Sequence, residues 1–499
     1  MNGFLDIVQK VNDAVNGVVW GWPALILLAF VGVLMTILTK FFQLSHIGHW
    51  FKNTIGAIFK DKNVTKHTSD KSISQFQSLC TALAATVGTG NIAGVASAIA
   101  TGGPGAIFWM WIIAFFGMMT NYSENVLGIL YRIKNDRGEW SGGAMYYLKN
   151  GLGAKKGCKY IGVVLAVLFS CFCLLASFGI GNMTQVNTIA TNMQAAFSLP
   201  KVVTGIIVMI AVALVVIGGL KRIAAVTEKI VPVMVILYLV GTVIICVLHI
   251  NSFGAVFTSI FKSAFGMKAV AGGIVGAGVK QAVKMGMKRG VFSNEAGLGS
   301  SVMVHSNSNV KEPVRQGMWG IFEVFADTIV VCSLTAFAVL SSGFINLETG
   351  QLASEIEDTG SLVGQAFGAT FGQVGVWFVA VALLLFAFST VLGWSHYGTK
   401  ACEYLFGTKS TLPYRLIFVI AVIGGATMGE NLAWELSDTF NGLMMLPNLI
   451  GVLVLSPLVY KCTKNYVDRH LHHKDVEPML SMYDDIQKEH AEAVKKGEE

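Results

Sequence analysis

The sequence predicts an all-α polytopic membrane protein of about eleven transmembrane helices, with one leading helix ahead of two five-helix halves of opposite orientation. Three observations predict it. Of 499 residues, 54% are hydrophobic and only 13% charged; long apolar runs recur from Val18 to Lys461; and Lys and Arg collect on one side of those runs. Soluble domains carry roughly a quarter charged residues, so hydrocarbon is the solvent this composition suits.

Spanning a hydrocarbon core of about 30 Å takes about 20 apolar residues as helix. Runs of that kind fall near residues 18–40, 73–100, 104–131, 160–190, 202–219, 226–249, 269–305, 316–342, 374–406, 412–429 and 437–461. Residues 1–17 are mixed polar and are expected as a short extracytoplasmic N-terminus; the run from Val18 lacks a small-residue cleavage site and is expected to stay as the first helix. With no Pro- or Ser-rich linker between runs, residues 18–462 read as one integral domain, followed by a polar cytoplasmic tail, 463–499. Alternating the loops from an outside N-terminus puts 32 of the 36 Lys and Arg on one side, leaving Lys10, Lys201, Lys262 and Lys268 on the other. That bias predicts an inner-membrane protein with its C-terminus in the cytoplasm. Acids Glu348, Glu355, Glu357, Asp358, Glu430 and Glu435 fall in the outer loops. Setting the first helix aside, repeat one covers about 73–249 and repeat two about 269–461, the inverted-repeat plan of many secondary transporters.

The net charge of +7 is scattered over short loops, which argues for topology rather than nucleic-acid binding. The eight cysteines have no zinc or redox spacing, and His470, His472 and His473 read as a solvated basic tail. No cofactor and no obligatory protein partner is expected.

Both helices that open a half are unusual. The first runs Thr81-Ala-Leu-Ala-Ala-Thr-Val-Gly-Thr-Gly-Asn-Ile-Ala-Gly94. Each interior Gly costs about 1 kcal/mol of helix propensity, so the chain is poised to break near Gly88 to Gly90. Such a break offers backbone N–H groups to a carboxylate and carbonyls to a cation. Gly90 and Gly94 also match the small-residue spacing of close helix packing, which the sequence alone leaves open. The second opener contains Lys288-Arg-Gly-Val-Phe-Ser-Asn-Glu-Ala-Gly-Leu-Gly-Ser300. Ser293, Asn294 and Glu295 inside a span are costly unless they line a cavity or bind something; a loop past the helix end is the alternative. Among intramembrane acids, Glu124 is expected in a structural pair, with Lys280, Lys284 or Arg289 as partners within reach, while Glu323 and Asp327 stay open between ligand and pairing roles.

The stretch Gly102-Gly-Pro-Gly-Ala-Ile-Phe-Trp-Met-Trp111 with Phe115-Phe-Gly-Met118 resembles the signature of the alanine or glycine:cation symporter family. Ala84 to Gly94, Gly179-Ile-Gly-Asn-Met183, Arg289 to Ser300 and Ser389-Thr-Val-Leu-Gly-Trp394 match the same family in order, from about 73 to 460. The resemblance implies a leucine-transporter-like fold with broken first and sixth core helices. It implies a substrate site at Thr89, Gly90, Asn91, Phe178, Gly181, Gln185, Phe292 and Asn294. It further implies a sodium site of the Ser389 and Thr390 hydroxyls facing the Ala84 and Val87 carbonyls, with a second from Thr86 and Asn91. A pocket floored by Gly181 and walled by Phe178 and Phe292 suits a methyl or hydrogen side chain. The expected function is import of alanine and/or glycine coupled to Na+ by alternating access. H+ coupling, or a glutamine or serine preference within the same family, is the alternative. Hydroxyls in spans also bond their own helix at i−4, and an intramembrane Gln also bonds neighbouring helices, so Ser389, Thr390 and Gln185 each keep a structural reading. A channel would need a continuous polar pore, and an enzyme a nucleophile with a base; neither pattern occurs.

Overall fold

The computed structural model describes residues 2–67, 71–266, 274–349 and 361–496. The start expected for repeat two near 269 and the acids Glu355, Glu357 and Asp358 lie outside these residues.

Helices dominate because a backbone in hydrocarbon must satisfy its own polar groups. In chain order they are α1 (Asn2–Val19), α2 (Trp22–Leu38), α3 (Gln75–Thr86), α4 (Val95–Gly102), α5 (Gly105–Leu130), α6 (Lys159–Phe178), α7 (Thr184–Phe197), α8 (Lys201–Val216), α9 (Gly219–Leu248) and α10 (Phe253–Ala264). They continue with α11 (Ile274–Asn294), α12 (Val302–His305), α13 (Pro313–Val324), α14 (Ser333–Ser341), α15 (Leu362–Phe371), α16 (Gln373–Phe406), α17 (Thr411–Thr427), α18 (Glu430–His470) and α19 (Asp484–Lys495). Eight of the described spans are long and apolar enough to cross a membrane, and the bent pair α3 with α4 makes a ninth; α8 is a shorter apolar helix. Residues 2–17, expected as a polar terminus, are helical, and α1 packs on α18.

Both half-openers break. Helix α3 starts from a Ser74 and Gln77 capping box and ends at Thr86, and the chain resumes at Gly90 bent by 51°. Helix α11 ends at Asn294; Glu295, Gly297 and Gly299 then take left-handed φ of +57°, +93° and +71° before α12. Left-handed backbone is disfavoured for residues with a Cβ, so Glu295 is held there by its surroundings. Three segments wind as π-helix around the breaks, Gly90–Gly94, Gly179–Met183 and Phe325–Cys332. Such insertions redirect side chains and free backbone groups, and they concentrate at functional sites.

The two broken helices are joined at the end of the molecule that carries the tail. Ile73 N–H donates to the Asn307 carbonyl at 3.0 Å and Asn309 N–H donates to that of Ile73 at 2.9 Å. At the opposite end, Lys288 Nζ lies 2.6 Å and Arg289 3.2 Å from the Asp438 carboxylate, and Lys280 stands over the Trp22 ring. Lys280, Lys284, Lys288 and Arg289 precede the break in α11. They therefore stand at the end opposite the tail, and the expected 32-residue bias includes four residues that belong with the smaller group.

Helix α18 reaches His470, beyond the expected boundary at 462, and the tail folds back on the body. Met482 N–H donates to the Leu130 carbonyl at 2.9 Å and Lys134 pairs with Glu489 at 3.1 Å. Arg469 holds Glu312 through two hydrogen bonds of 2.6 and 2.9 Å. Burial alone would raise the Glu312 carboxyl, but hydrogen bonds from His470 and Arg469 outweigh it and hold the group below its ordinary value. Its depressed pKa contributes stability that is fully present above the usual carboxylate range and is lost as pH falls below that range through the depressed value. Arg469→Ala removes both guanidinium hydrogen bonds and leaves the buried carboxylate with His470 alone among the described residues, at a cost of up to about 3–5 kcal/mol. Limited proteolysis should therefore release the tail faster in this variant at neutral pH, and in the wild type only on acidification.

Candidate functional site

The gap between Thr86 and Gly90 puts bare backbone in the protein interior. Gly88 N–H donates to Asn91 Oδ1 at 2.8 Å, and Thr89 N–H to Gln185 Oε1 at 3.3 Å. Gln185 in turn donates to the Ile180 carbonyl at 3.0 Å, so the π-segment between α6 and α7 fixes its amide. A Cβ on Gly88 would stand within 2.3 Å of Thr390 Oγ1, and one on Gly90 3.2 Å from Ser293 Cα and 3.3 Å from the Phe292 ring. These two glycines are required for close approach: the break of one half-opener touches both α16 and the break of the other.

The polar centre is Asp327, fully buried in the π-segment of the α13 to α14 span. Its carboxylate accepts from Asn91 Nδ2 at 2.6 Å, Ser293 Oγ at 2.8 Å and Thr328 Oγ1 at 2.7 Å. Asn294 donates to Thr328 Oγ1 at 3.0 Å, and Cys332 Sγ lies 3.4 Å from Asn91 Nδ2 and 3.3 Å from Ser293 Oγ. Glu295, the second carboxylate, accepts from Trp394 Nε1 at 2.7 Å and Ser300 Oγ at 2.5 Å. Glu124 is bonded by Asn448 Nδ2 and not by a basic residue, while Glu323 sits 3.0 Å from His305 and accepts from Asn121 at 3.2 Å. None of these acids pairs with Lys280, Lys284 or Arg289; Arg289 serves Asp438 instead.

Ser389 Oγ reaches the Ala84 carbonyl at 3.3 Å and the Phe386 carbonyl at 2.8 Å; Thr390 Oγ1 bonds the Phe386 carbonyl at 3.1 Å. Intrahelical and cross-helix roles therefore coexist. A hydroxyl that spends its one proton within its own helix turns its lone pairs outward, here toward the C-terminal carbonyls of α3. Among the described residues neither hydroxyl bonds Val87; Thr390 faces Gly88. For the second expected cation site, Asn91 Oδ1 accepts from Gly88 N–H, and the Thr86 carbonyl expected beside it belongs to the last residue of α3.

The expected pocket is thus assembled in part. Thr89, Gly90, Asn91, Gln185 and Phe292 converge, with Asn294 one shell away through Thr328. Gly181 does not floor an opening, because a Cβ there would stand 2.3 Å from Trp394 Cβ: the glycine admits the Trp394 ring. Phe178 packs 5.7 and 5.8 Å from Tyr414 and Phe418 of α17 rather than across from Phe292. Phe292 packs against Trp434 with ring centroids 5.1 Å apart and tilted by 30°, and the Arg289 guanidinium lies 5.0 Å from the Trp434 ring. Trp394 and Trp434 are site neighbours that the sequence reading left out, whereas Ser293 was singled out there among the polar residues of the second opener. Trp394 sat inside a quoted motif and gave a signal; Trp434 gave none.

The family described as the sodium:alanine symporter family matches residues 5–479. The chain is 42% identical over 465 residues to the sodium/alanine symporter AgcS of Methanococcus maripaludis, covering 93% of this chain and 98% of that one. It is 36% identical to the putative sodium/proton-dependent alanine carrier protein YrbD of Bacillus subtilis, covering 91% of each. It is 34% identical to the probable sodium/glutamine symporter GlnT of the same organism, covering 97% of this chain and 95% of that one.

Asp327→Ala strands the Ser293 and Thr328 hydroxyls and one Asn91 donor, at about 1–3 kcal/mol for each buried group left unpaired. Its melting temperature in detergent should fall well below that of Asp327→Asn, which keeps an acceptor oxygen. Equal melting of the two variants would remove Asp327 as the tie between the breaks.

Proposed function

The chain belongs to the sodium:alanine symporter family, and from that premise we propose that it imports a small neutral amino acid, alanine and/or glycine, coupled to Na+ by alternating access. Its family and relatives are transporters, so its activity is movement of solute and not covalent catalysis. The observation that carries the substrate reading is the gap at 87–89, where Thr89 N–H meets only a 3.3 Å bond from Gln185 and Thr89 Oγ1 has no partner among the described residues. A substrate carboxylate arriving there replaces a weak acceptor with a charged one, about doubling the strength of the hydrogen bond. The Gln185 oxygen so released faces the substrate ammonium. Phe292, packed on Gly90, limits the side chain to a small one.

The cation reading rests on hard oxygen donors: the Ser389 and Thr390 hydroxyls beside the C-terminal carbonyls of α3 suit Na+, which prefers such ligands to nitrogen or sulfur. Lying beside Asn91, Asp327 adds a charged oxygen two helices from that pair, and it supports either a second cation or a proton. A sodium/proton-dependent alanine carrier and a sodium/glutamine symporter among the relatives keep H+ coupling and a glutamine or serine preference as the second reading. One or two methylenes in a pocket discriminate by only about 1–3 kcal/mol.

Proteoliposomes with an inward Na+ gradient should accumulate radiolabelled alanine, with unlabelled glycine and serine competing. Accumulation under a proton gradient alone, or stronger competition by glutamine than by glycine, would favour the second reading. Ser389→Ala with Thr390→Ala should raise the half-saturating Na+ concentration with little effect on the maximal rate; unchanged Na+ dependence sinks the ion-site assignment. Thr89→Pro, which removes the N–H, should abolish alanine binding.

A further inference from the structure

A cavity of about 360 Å³ opens at the tail end of the molecule, bordered by the start of α9, the chain just after α12, the tail-side half of α16 and the start of α17. It lies below the candidate site: Lys400 on its wall is ten residues along α16 from Thr390, about 15 Å of helix.

Its lining contains three groups whose bonding capacity is unused. Arg415 makes no hydrogen bond or ion pair among the described residues, and its Nε is buried without a partner. The guanidinium lies on Gly219, whose φ is +73° and where a Cβ would stand 3.1 Å from Nη1. Gly219 is the first residue of the 30-residue helix α9, and its N-cap, Gly218, supplies no side-chain cap. The N-terminus of that helix, with its partial positive charge, therefore lies beside the guanidinium. Asn307 is the third group. It is 1% exposed, its Nδ2 donates to the Met303 carbonyl at 2.6 Å, and its Oδ1 accepts nothing. The other buried charges on the wall satisfy each other: Lys400 pairs with Glu403 at 3.1 Å and donates to Ser141, and Glu403 accepts from Ser141 and Asn135.

A guanidinium without a hydrogen bond among the described residues, beside a helix start, calls for a carboxylate. A buried amide oxygen without a partner in the same lining calls for a donor such as an ammonium. An α-amino acid zwitterion carries both on one carbon, and the cavity has room for one of any side chain. We propose that this cavity is a second amino-acid site on the path between the candidate site and the tail-side solution, holding the carboxylate on Arg415 and the N-terminus of α9 and the ammonium on Asn307 Oδ1. The proposal rests on the amino-acid transport reading. An occupied site there would hold a released substrate while the primary site resets, so it acts on release and on exchange from the tail side.

The test is equilibrium binding of radiolabelled alanine to the full chain in nanodiscs with saturating Na+. Wild type should bind two equivalents and Arg415→Gln one. Arg415→Gln should also raise the alanine concentration needed for half-maximal exchange from the tail side about tenfold, in keeping with loss of a charge-assisted hydrogen bond, and leave the opposite side unchanged. Arg415→Lys keeps the charge on a different reach and should retain a weakened second equivalent, which guards against misreading a folding defect. One equivalent in wild type, or two in Arg415→Gln, overturns the second site and leaves the transport reading standing. Binding of neither alanine, serine nor glutamine by wild type overturns both.

Discussion

The structure depends on one buried carboxylate. Asp327 stands at the meeting point of three interrupted spans, and its two oxygens take bonds from Asn91 in the first break, from Ser293 beside the second and from Thr328 in its own π-segment. A charge at the centre of a bilayer costs several kcal/mol, so it persists only where other groups bind it. Here the donors are side chains exposed by the irregularity of the helices around it. The breaks supply the polar groups that the carboxylate needs, and the carboxylate holds the breaks in register. Each would be unfavourable without the other.

The small residues follow from the same constraint. Gly88 and Gly90 let the first break come within van der Waals contact of Thr390, Ser293 and Phe292. Gly181 lets Trp394 reach across to Glu295, the one non-glycine in the second break with a left-handed backbone. Trp394 and Ser300 then fix both oxygens of Glu295. Chain polarity thus gives the two halves different solutions: a bent helix with two glycines in one, and in the other a looped gap whose strain is held by an indole and a hydroxyl.

Much of this was legible in the sequence, and the parts that were not share a cause. Glycines inside an apolar run announced the first break, and Ser293, Asn294 and Glu295 inside another announced the second, because both patterns are costly in an unbroken helix. Which residues converge on Asp327 could not be read, because a hydrogen bond between residues 236 positions apart leaves no periodic trace. Gly181 was read as the floor of a small substrate pocket, but whether substrate or indole fills the space over it depends on how α16 is rotated, which the motif does not carry. Phe178 was misplaced for the same reason: one helix face more turns a ring from the break to Tyr414 and Phe418. The charge bias counted whole spans, so it could not see that α11 stops halfway and leaves its four basic residues on the opposite end.

That position of α11 gives the two ends of the molecule different chemistry. At one end the broken helix is tied through Lys288 and Arg289 to Asp438, with Arg289 also over the Phe292 and Trp434 rings, so the ion pair and the aromatic cap of the candidate site are one cluster. At the other, the backbone of Ile73 is paired with that of Asn307 and Asn309, and Glu312 with Arg469 fastens the next turn of chain to α18. The two ion-pair clusters are buried to the same degree, so the backbone pairing is what one closure has in addition to the other. Among the described residues the Asp438 end is tied by side chains and the tail end by backbone pairing as well, so a binding site between the two closures is reached most easily from the Asp438 end, where no backbone bond has to break.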